Sequence, residues 1–132
     1  MGDVLLAHGT WEGAAGSRGT TVTIRNVSAA PCAVPGRALV ALVDASHRQL
    51  VATPPDSAAP PLVLAAGESA ASDVLVSNWC GPAPVFPVVL VVALLGSTAE
   101  VGGPQIATAD DFPPCNGSGP AMIGTSGAWT RP

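Results

Sequence analysis

Glycine and proline interrupt this sequence so often that long helices have no room to form. The chain contains 15 glycines and 14 prolines, which together make up 29 of its 132 residues. Both residues lower the stability of a helix, and proline also removes a backbone donor. Turns that recur at such short intervals are typical of short strands joined by loops. The spacing therefore predicts an all-β protein with no helix longer than a turn.

Runs with strand character lie between these turns. In the run from Thr20 to Val27, Val22 and Ile24 alternate with Thr21 and Thr23, which is the two-residue period of a half-buried strand. The other predicted strands are Val4 to Trp11, Ala38 to Val43, Gln49 to Ala52, Leu62 to Leu64, Ser69 to Asn78, Val88 to Leu95 and Ala121 to Trp129. The loop from Gly102 to Gly119 holds at most one further short strand, at Gln105 to Thr108. Seven or eight strands with frequent turns predict an antiparallel β-sandwich in a single domain spanning residues 1–132.

The most apolar run extends from Val85 to Leu95. It holds 11 residues and is interrupted by Pro87, whereas a membrane-spanning helix needs about 20 apolar residues. The run therefore predicts a central strand from Val88 to Leu95 and no membrane span. A domain of this size does not bury so apolar a strand completely, so we expect a contact surface there, for a homodimer or for a partner on the cell envelope.

The distribution of charge excludes nucleic acid as a partner. The formal net charge is −4, all five cationic side chains are arginines, and only 11% of the residues are charged. A nucleic-acid-binding surface needs a cluster of Lys or Arg, and the sequence contains none.

Residues able to perform catalysis are few. No Gly-x-Ser-x-Gly motif is present to hold a nucleophilic serine. His47 lies in a predicted turn and His8 in a predicted strand, so we expect a solvated and a half-buried structural histidine. Asp110 and Asp111 are of the ligand type that Ca²⁺ prefers, although adjacent acids usually mark a solvated turn. We therefore expect no enzyme, metal or cofactor. The alternative is a small-ligand or metal-binding protein, or an enzyme, with a loop site near Asp110, Asp111 and His47.

Three cysteines and three tryptophans remain. Cys32, Cys80 and Cys115 allow one intramolecular disulfide in any of three pairings, or three reduced, buried thiols in a cytosolic protein. No Cys-x-x-Cys spacing supports a zinc site.

The tryptophans at positions 11, 79 and 129 carry most of the aromatic surface. We expect them to pack in the core or at strand ends; the alternative is that one is exposed and marks a recognition patch.

The order of several short motifs resembles that of a known family. These motifs are Gly13-Ala14-Ala15-Gly16-Ser17, Val22-Thr23-Ile24-Arg25-Asn26, Pro31-Cys32-Ala33-Val34-Pro35-Gly36, Leu42-Val43-Asp44, Val63-Leu64-Ala65-Ala66-Gly67-Glu68-Ser69-Ala70 and Asn78-Trp79-Cys80. In this order the chain resembles the exported actinobacterial family called domain of unknown function 4232. The resemblance implies a secreted or lipid-anchored, immunoglobulin-like sandwich with no known catalytic residues.

The resemblance also implies a choice among the cysteine pairings. Members usually carry four cysteines and pair the last two, which implies a Cys80–Cys115 disulfide in this chain, with Cys32–Cys80 as the second choice. The remaining family cysteine precedes the first strand, and its position falls at or before Met1. Cys32 is therefore expected to be free or bonded to another chain.

Together these observations predict a non-catalytic module of the cell envelope or the extracellular space. We expect it to bind a protein or an envelope component, or to act as a structural spacer. Met1-Gly2-Asp3 lacks the basic and apolar regions of a signal peptide, so we expect a signal peptide or lipid anchor to be absent from this sequence.

Overall fold

Antiparallel strands dominate the computed structural model of this chain. The structure describes residues 3–14, 16–53, 60–115, 117, 121–125 and 129–131. The strands in these residues are Val4–His8 (β1), Glu12–Ala14 (β2), Ser17–Asn26 (β3), Cys32–Val34 (β4), Val40–Val43 (β5), Gln49–Ala52 (β6), Leu62–Leu64 (β7), Ser69–Ser77 (β8), Val89–Leu94 (β9), Ser97–Glu100 (β10) and Met122–Thr125 (β11). Helix within the same residues is limited to one 3-10 turn, Ala109–Asp111.

The strands form two larger sheets and one small sheet. The five-stranded sheet has the order β1-β3-β8-β11, with β2 also paired to β3. The four-stranded sheet has the order β10-β9-β5-β6, and β4 pairs with β7. Every pairing between these strands is antiparallel.

One hydrophobic core joins the inner faces of the two larger sheets. Val22 and Ile24 of β3 are fully buried, and so are Leu42 of β5 and Val92 of β9. Alternate residues of β3 and β8 point into this core, which is why these strands show the two-residue burial period. Burying each such aliphatic side chain stabilises the fold by about 1.5–3 kcal/mol.

The all-β prediction is confirmed, and so is the central position of the most apolar strand, since β9 lies between β10 and β5. The described residues contain eleven strands rather than seven or eight, because β2, β4 and β10 were not predicted. Two prolines flank β4, and β10 is a polar edge strand with few apolar residues. Both therefore lack the pattern by which a strand is recognised.

Some predicted strands have different limits in the structure. β1 ends at His8 rather than Trp11, because the chain then turns into β2. The short strand predicted at Gln105 to Thr108 is reduced to a single bridge between Ile106 and Val88. The last predicted strand, Ala121 to Trp129, appears as β11, while its residues 126–128 lie outside the described residues.

A disulfide joins Cys80, just after β8, to Cys115, just after the 3-10 turn, with an S–S distance of 1.98 Å. It is the pairing implied by the family resemblance. Cys32 takes no part in this disulfide, and its side chain is buried in β4. No helix in the described part of the chain is long and apolar enough to cross a membrane.

Candidate contact surface on the four-stranded sheet

The outer face of the four-stranded sheet carries an open groove of about 660 Å³. Its lining combines apolar side chains with a few neutral polar groups and His47: Leu39, Val40, Ala41, Val43, His47, Gln49, Ala52, Thr53, Val91, Ala93 and Thr98. No Asp, Glu, Lys or Arg belongs to this lining. Such a volume lies within the range of small-molecule sites, about 300–1,000 Å³, but the groove is open rather than enclosed.

Strand register explains why small residues meet at the floor of the groove. Ala41 of β5 lies opposite Val91 of β9 on one side and opposite Ala52 of β6 on the other. Directly opposed residues of an antiparallel pair project from the same face, so these three side chains share the outer face. The backbone N–H of Ala93 donates to the carbonyl of Leu39 at 2.9 Å. Leu39 and Ala93 therefore form a second cross-strand pair on this face.

Burial differs sharply between the two faces of β9. Leu90 and Val92 point inward and are 1% and 0% exposed, whereas Val91 and Ala93 on the outer face are half-buried. The groove over them is open, and Ala41 at its floor is 7% exposed. The strand is therefore apolar on both faces but covered on one.

A buried carboxylate fixes the turn that borders the groove. Asp44 accepts hydrogen bonds from the Ser46 hydroxyl at 2.6 Å, from the backbone N–H of Arg48 at 3.1 Å and from that of Val85 at 3.1 Å. The hydrogen bond from Ser46 is the largest cause that lowers the pKa of Asp44 to about 2, and the backbone donors add to it. These bonds hold the β5–β6 turn, in which His47 adopts a φ of 67°.

The structure does not assemble the alternative loop site. His47 lines the groove and is exposed, while Asp110 and Asp111 lie in the 3-10 turn and are absent from the lining. The carbonyl of Asp110 accepts a hydrogen bond from Arg18 at 3.1 Å. The described residues hold no group of three or more His, Cys, Asp or Glu side chains that could hold a metal ion.

The outer face of the five-stranded sheet is polar by contrast. Thr21, Thr23 and Arg25 of β3 are exposed there, and Thr21 donates a hydrogen bond to the exposed Asp73 of β8 at 2.7 Å. Leu75 is 49% exposed on the same face. Leu5 of β1, which is 58% exposed, lies on this face as well, opposite Arg25, whereas Leu75 lies opposite Gly19 near the other end of β3. Isolated exposed leucines are ordinary on protein surfaces, so this face has the composition of a solvated surface.

The tryptophans and His8 mainly serve packing. Trp129 is buried, and Trp79 packs edge-on against Phe112 with ring centroids 5.8 Å apart. Trp11 lies 5.6 Å from the ring of His8, which is buried rather than half-buried and whose Nδ1 lies 2.6 Å from the carbonyl of Gly9. None of the three tryptophans is exposed, so the packing interpretation describes them better than a recognition patch does.

Sequence reasoning identified the β9 side of the groove and missed the β5 side. The run Ala38 to Val43 is apolar at successive positions, as the run Val88 to Leu95 is. That shared pattern, apolar on both faces of a strand, would have identified β5 as the neighbour of β9.

The fold and the groove define a β-sheet domain with one apolar outer face. A profile of the family described as "Domain of unknown function (DUF4232)" matches residues 2–119. The chain therefore belongs to this family. Comparison with curated proteins and with solved structures found no match.

Proposed function

We propose that this domain is a non-catalytic, extracytoplasmic module that binds a protein or an envelope component through the outer face of its four-stranded sheet. The observation that carries the proposal is the groove over β5 and β9, whose lining is mainly apolar and includes no Asp, Glu, Lys or Arg. The cores of protein interfaces are depleted in charged residues, and a contiguous apolar surface left open on a soluble domain commonly marks an interaction site.

The disulfide supports the extracytoplasmic location. Cys80 and Cys115 are both exposed, so a reducing cytosol would have access to their bond. Disulfides persist mainly in oxidising compartments outside the cytoplasm.

Strand order supports an immunoglobulin-like arrangement of the two layers. Within the larger sheets, β1-β3-β8 and β10-β9-β5-β6 follow the A-B-E and G-F-C-C′ orders of immunoglobulin domains. The chain departs from that order at β11, which pairs with β8 in the place of strand D but is the last strand in sequence. In this assignment the groove lies on the outer face of the G-F-C-C′ sheet.

A photoreactive residue placed in each outer face tests the contact. It replaces Val91 in the groove in one variant and Leu75 on the opposite face in the other, and both proteins are illuminated with envelope fractions of the producing cell. We expect an adduct from position 91 and none from position 75, and an excess of unmodified domain should suppress any adduct formed with an envelope component. Equal labelling from both positions, or an adduct with an envelope component that the excess does not suppress, would contradict the proposal.

The absence of catalysis needs its own test. Purified domain is assayed against ester, peptide and glycoside substrates, together with the His47→Ala and Asp110→Asn/Asp111→Asn variants. We expect no turnover above that of a heat-denatured control. Turnover that disappears in either variant would replace the binding module by the loop-site alternative.

A further inference from the structure

We infer that the partner for this face is a second copy of the same chain, bound about a two-fold axis that runs parallel to the strands between β5 and β9. The inference rests on the proposed function and names the occupant of its surface. What carries it is the arrangement of large and small side chains on the two central strands.

Large and small side chains alternate diagonally on the outer face of β5 and β9. On β5 the outward side chains include Leu39 and Ala41, and on β9 they include Val91 and Ala93. Leu39 is paired with Ala93 through a backbone hydrogen bond, and Ala41 lies opposite Val91. The two larger side chains therefore occupy one diagonal of a square, and the two alanines occupy the other.

A two-fold axis parallel to the strands lays β5 of one copy over β9 of the other. Leu39 of each copy then lies over Ala93 of the second copy, and Val91 lies over Ala41. In these two rows each larger side chain fills a hollow, which is the close packing that the centre of a specific interface requires. In the third row Val43 lies opposite Val89, so valine faces valine across the axis there. Sheets that pack face to face in this aligned way lie about 10 Å apart.

A second two-fold orientation has its axis perpendicular to the strands and lays each strand over its own copy. With the axis midway between the two rows, Leu39 lies over Ala41 and Val91 over Ala93; in that dimer the Leu39→Ala/Ala93→Leu variant would not restore association, so the size swap below separates the two orientations. With the axis through the Ala41 row, Ala41 faces Ala41 and leaves a void. It also sets the two Glu100 carboxylates against each other, since Glu100 lies in the same row as Ala41 and Val91, and like charges facing each other oppose association. In the parallel orientation, Glu100 instead lies over Ala52 of the second copy, close to the neutral amide of its Gln49.

The size of the face predicts a weak dimer. Four strands about 4.8 Å apart and about five residues long give a footprint of roughly 300 Å². Stable, specific complexes bury about 800 Å² per partner. We therefore expect an equilibrium that lies on the monomer side at micromolar concentration and moves to the dimer as the concentration approaches millimolar.

A size swap across the proposed axis tests the geometry. Sedimentation of the wild-type domain over a concentration series gives the reference dissociation constant. Leu39→Ala leaves a hollow unfilled, and Ala93→Leu fills a hollow that the second copy needs. We expect each to weaken the dimer by about tenfold or more, and the Leu39→Ala/Ala93→Leu double variant to return within about threefold of the wild type.

The matched control is Leu75→Asp on the opposite face, which should leave the dissociation constant unchanged. A wild-type domain that stays monomeric throughout overturns the inference without any variant, while a suppressible adduct at position 91 would still support the proposed function. A dimer that Ala93→Leu leaves intact, that Leu75→Asp dissociates, or that the double variant fails to restore also overturns it. Circular dichroism of each variant verifies that the fold is retained.

Discussion

The outer faces of the two larger sheets differ in chemistry although both cover the same core. On the five-stranded sheet, Thr21, Thr23 and Asp73 meet the solvent and form hydrogen bonds there. On the four-stranded sheet, the outward positions include Ala41, which is 7% exposed, and the half-buried Val91, and no Asp, Glu, Lys or Arg lines the groove. The outer face of the five-stranded sheet has the composition of a water-exposed surface, and that of the four-stranded sheet has the composition of one side of a protein interface.

The two sheets also differ in the sequence patterns of their central strands. β3 alternates apolar and polar residues because one of its faces meets water, whereas β9 is apolar at successive positions. Such continuous runs are expected where both faces of a strand are covered. Under the proposed function, the cover for the outer face of β9 comes from another molecule.

Removing the disulfide, which lies in neither outer face, is expected to have the largest effect on the free energy of unfolding. The bond spans a sequence separation of 35, and the chain-entropy account assigns about 4 kcal/mol of unfolding free energy to a loop of this length. We expect Cys80→Ser/Cys115→Ser to lose about that amount in urea unfolding, and reduced wild-type protein to match it. The contrast between the faces should persist, so self-association should change little. A loss below about 1 kcal/mol would mean that the tether constrains little of the unfolded chain.

The next effect compares two neighbouring valines of β9. Val92 is fully buried on the inner face and Val91 is half-buried on the outer face. We expect Val92→Ala to lower the unfolding free energy by about 2 kcal/mol and Val91→Ala by less than about 1 kcal/mol, because only the first creates a cavity. Equal losses, measured by urea unfolding at low concentration, would mean that the outer face is already covered within the chain.

The third effect is a loss of stability in acid at the turn beside the groove. The pKa of Asp44 is lowered to about 2 by the Ser46 hydroxyl and the backbone donors. Because the folded-state pKa lies below the unfolded one, near 4, its stabilising contribution is complete above about pH 4 and is lost as the pH falls towards 2. We expect Asp44→Asn to reduce the fall in unfolding free energy across this interval. A variant whose profile parallels that of the wild type would show that other carboxylates cause the acid sensitivity.

The smallest effect is expected on the polar face. Thr21 donates a hydrogen bond to Asp73, but both residues are exposed, so water replaces the bond when it is removed. We expect Thr21→Val to change the unfolding free energy by no more than about 0.5 kcal/mol. A loss above 1 kcal/mol, on the order of a buried hydrogen bond, would show that water does not reach this hydrogen bond. The outer face of the five-stranded sheet would then not be the more solvated of the two faces.

The sequence predicted the parts of the fold that follow from local pattern. β6 and β7 have the predicted limits, and β9 lies inside its sheet as its apolar run indicated. β4 was not predicted, because Pro31 and Pro35 flank residues 32–34 and are typical of a loop. Its strand character comes from pairing with β7, which is a long-range contact that no local pattern records.

The groove proposed as a contact surface could be predicted only in part from the sequence. The uncovered strand was expected from the run Val85 to Leu95, but the groove also needs the pairing of Ala41 with Val91 and with Ala52. Strand order and register decide which side chains share a face, and they depend on contacts between distant parts of the chain. The loop site at His47, Asp110 and Asp111 could not be evaluated from sequence spacing for the same reason.

Amide chemical shifts followed during dilution test the central claim most directly, because they compare both faces in one unmodified sample. The claim is that the outer face of the four-stranded sheet is the contact surface and that a second copy occupies it. As the concentration falls from millimolar to low micromolar, we expect the shifts of residues 39–43 and 89–93 to move along one binding curve. Those of residues 21–25 and 71–75 should stay constant. Shifts that move only on the five-stranded sheet, or that do not move at all, would contradict the claim.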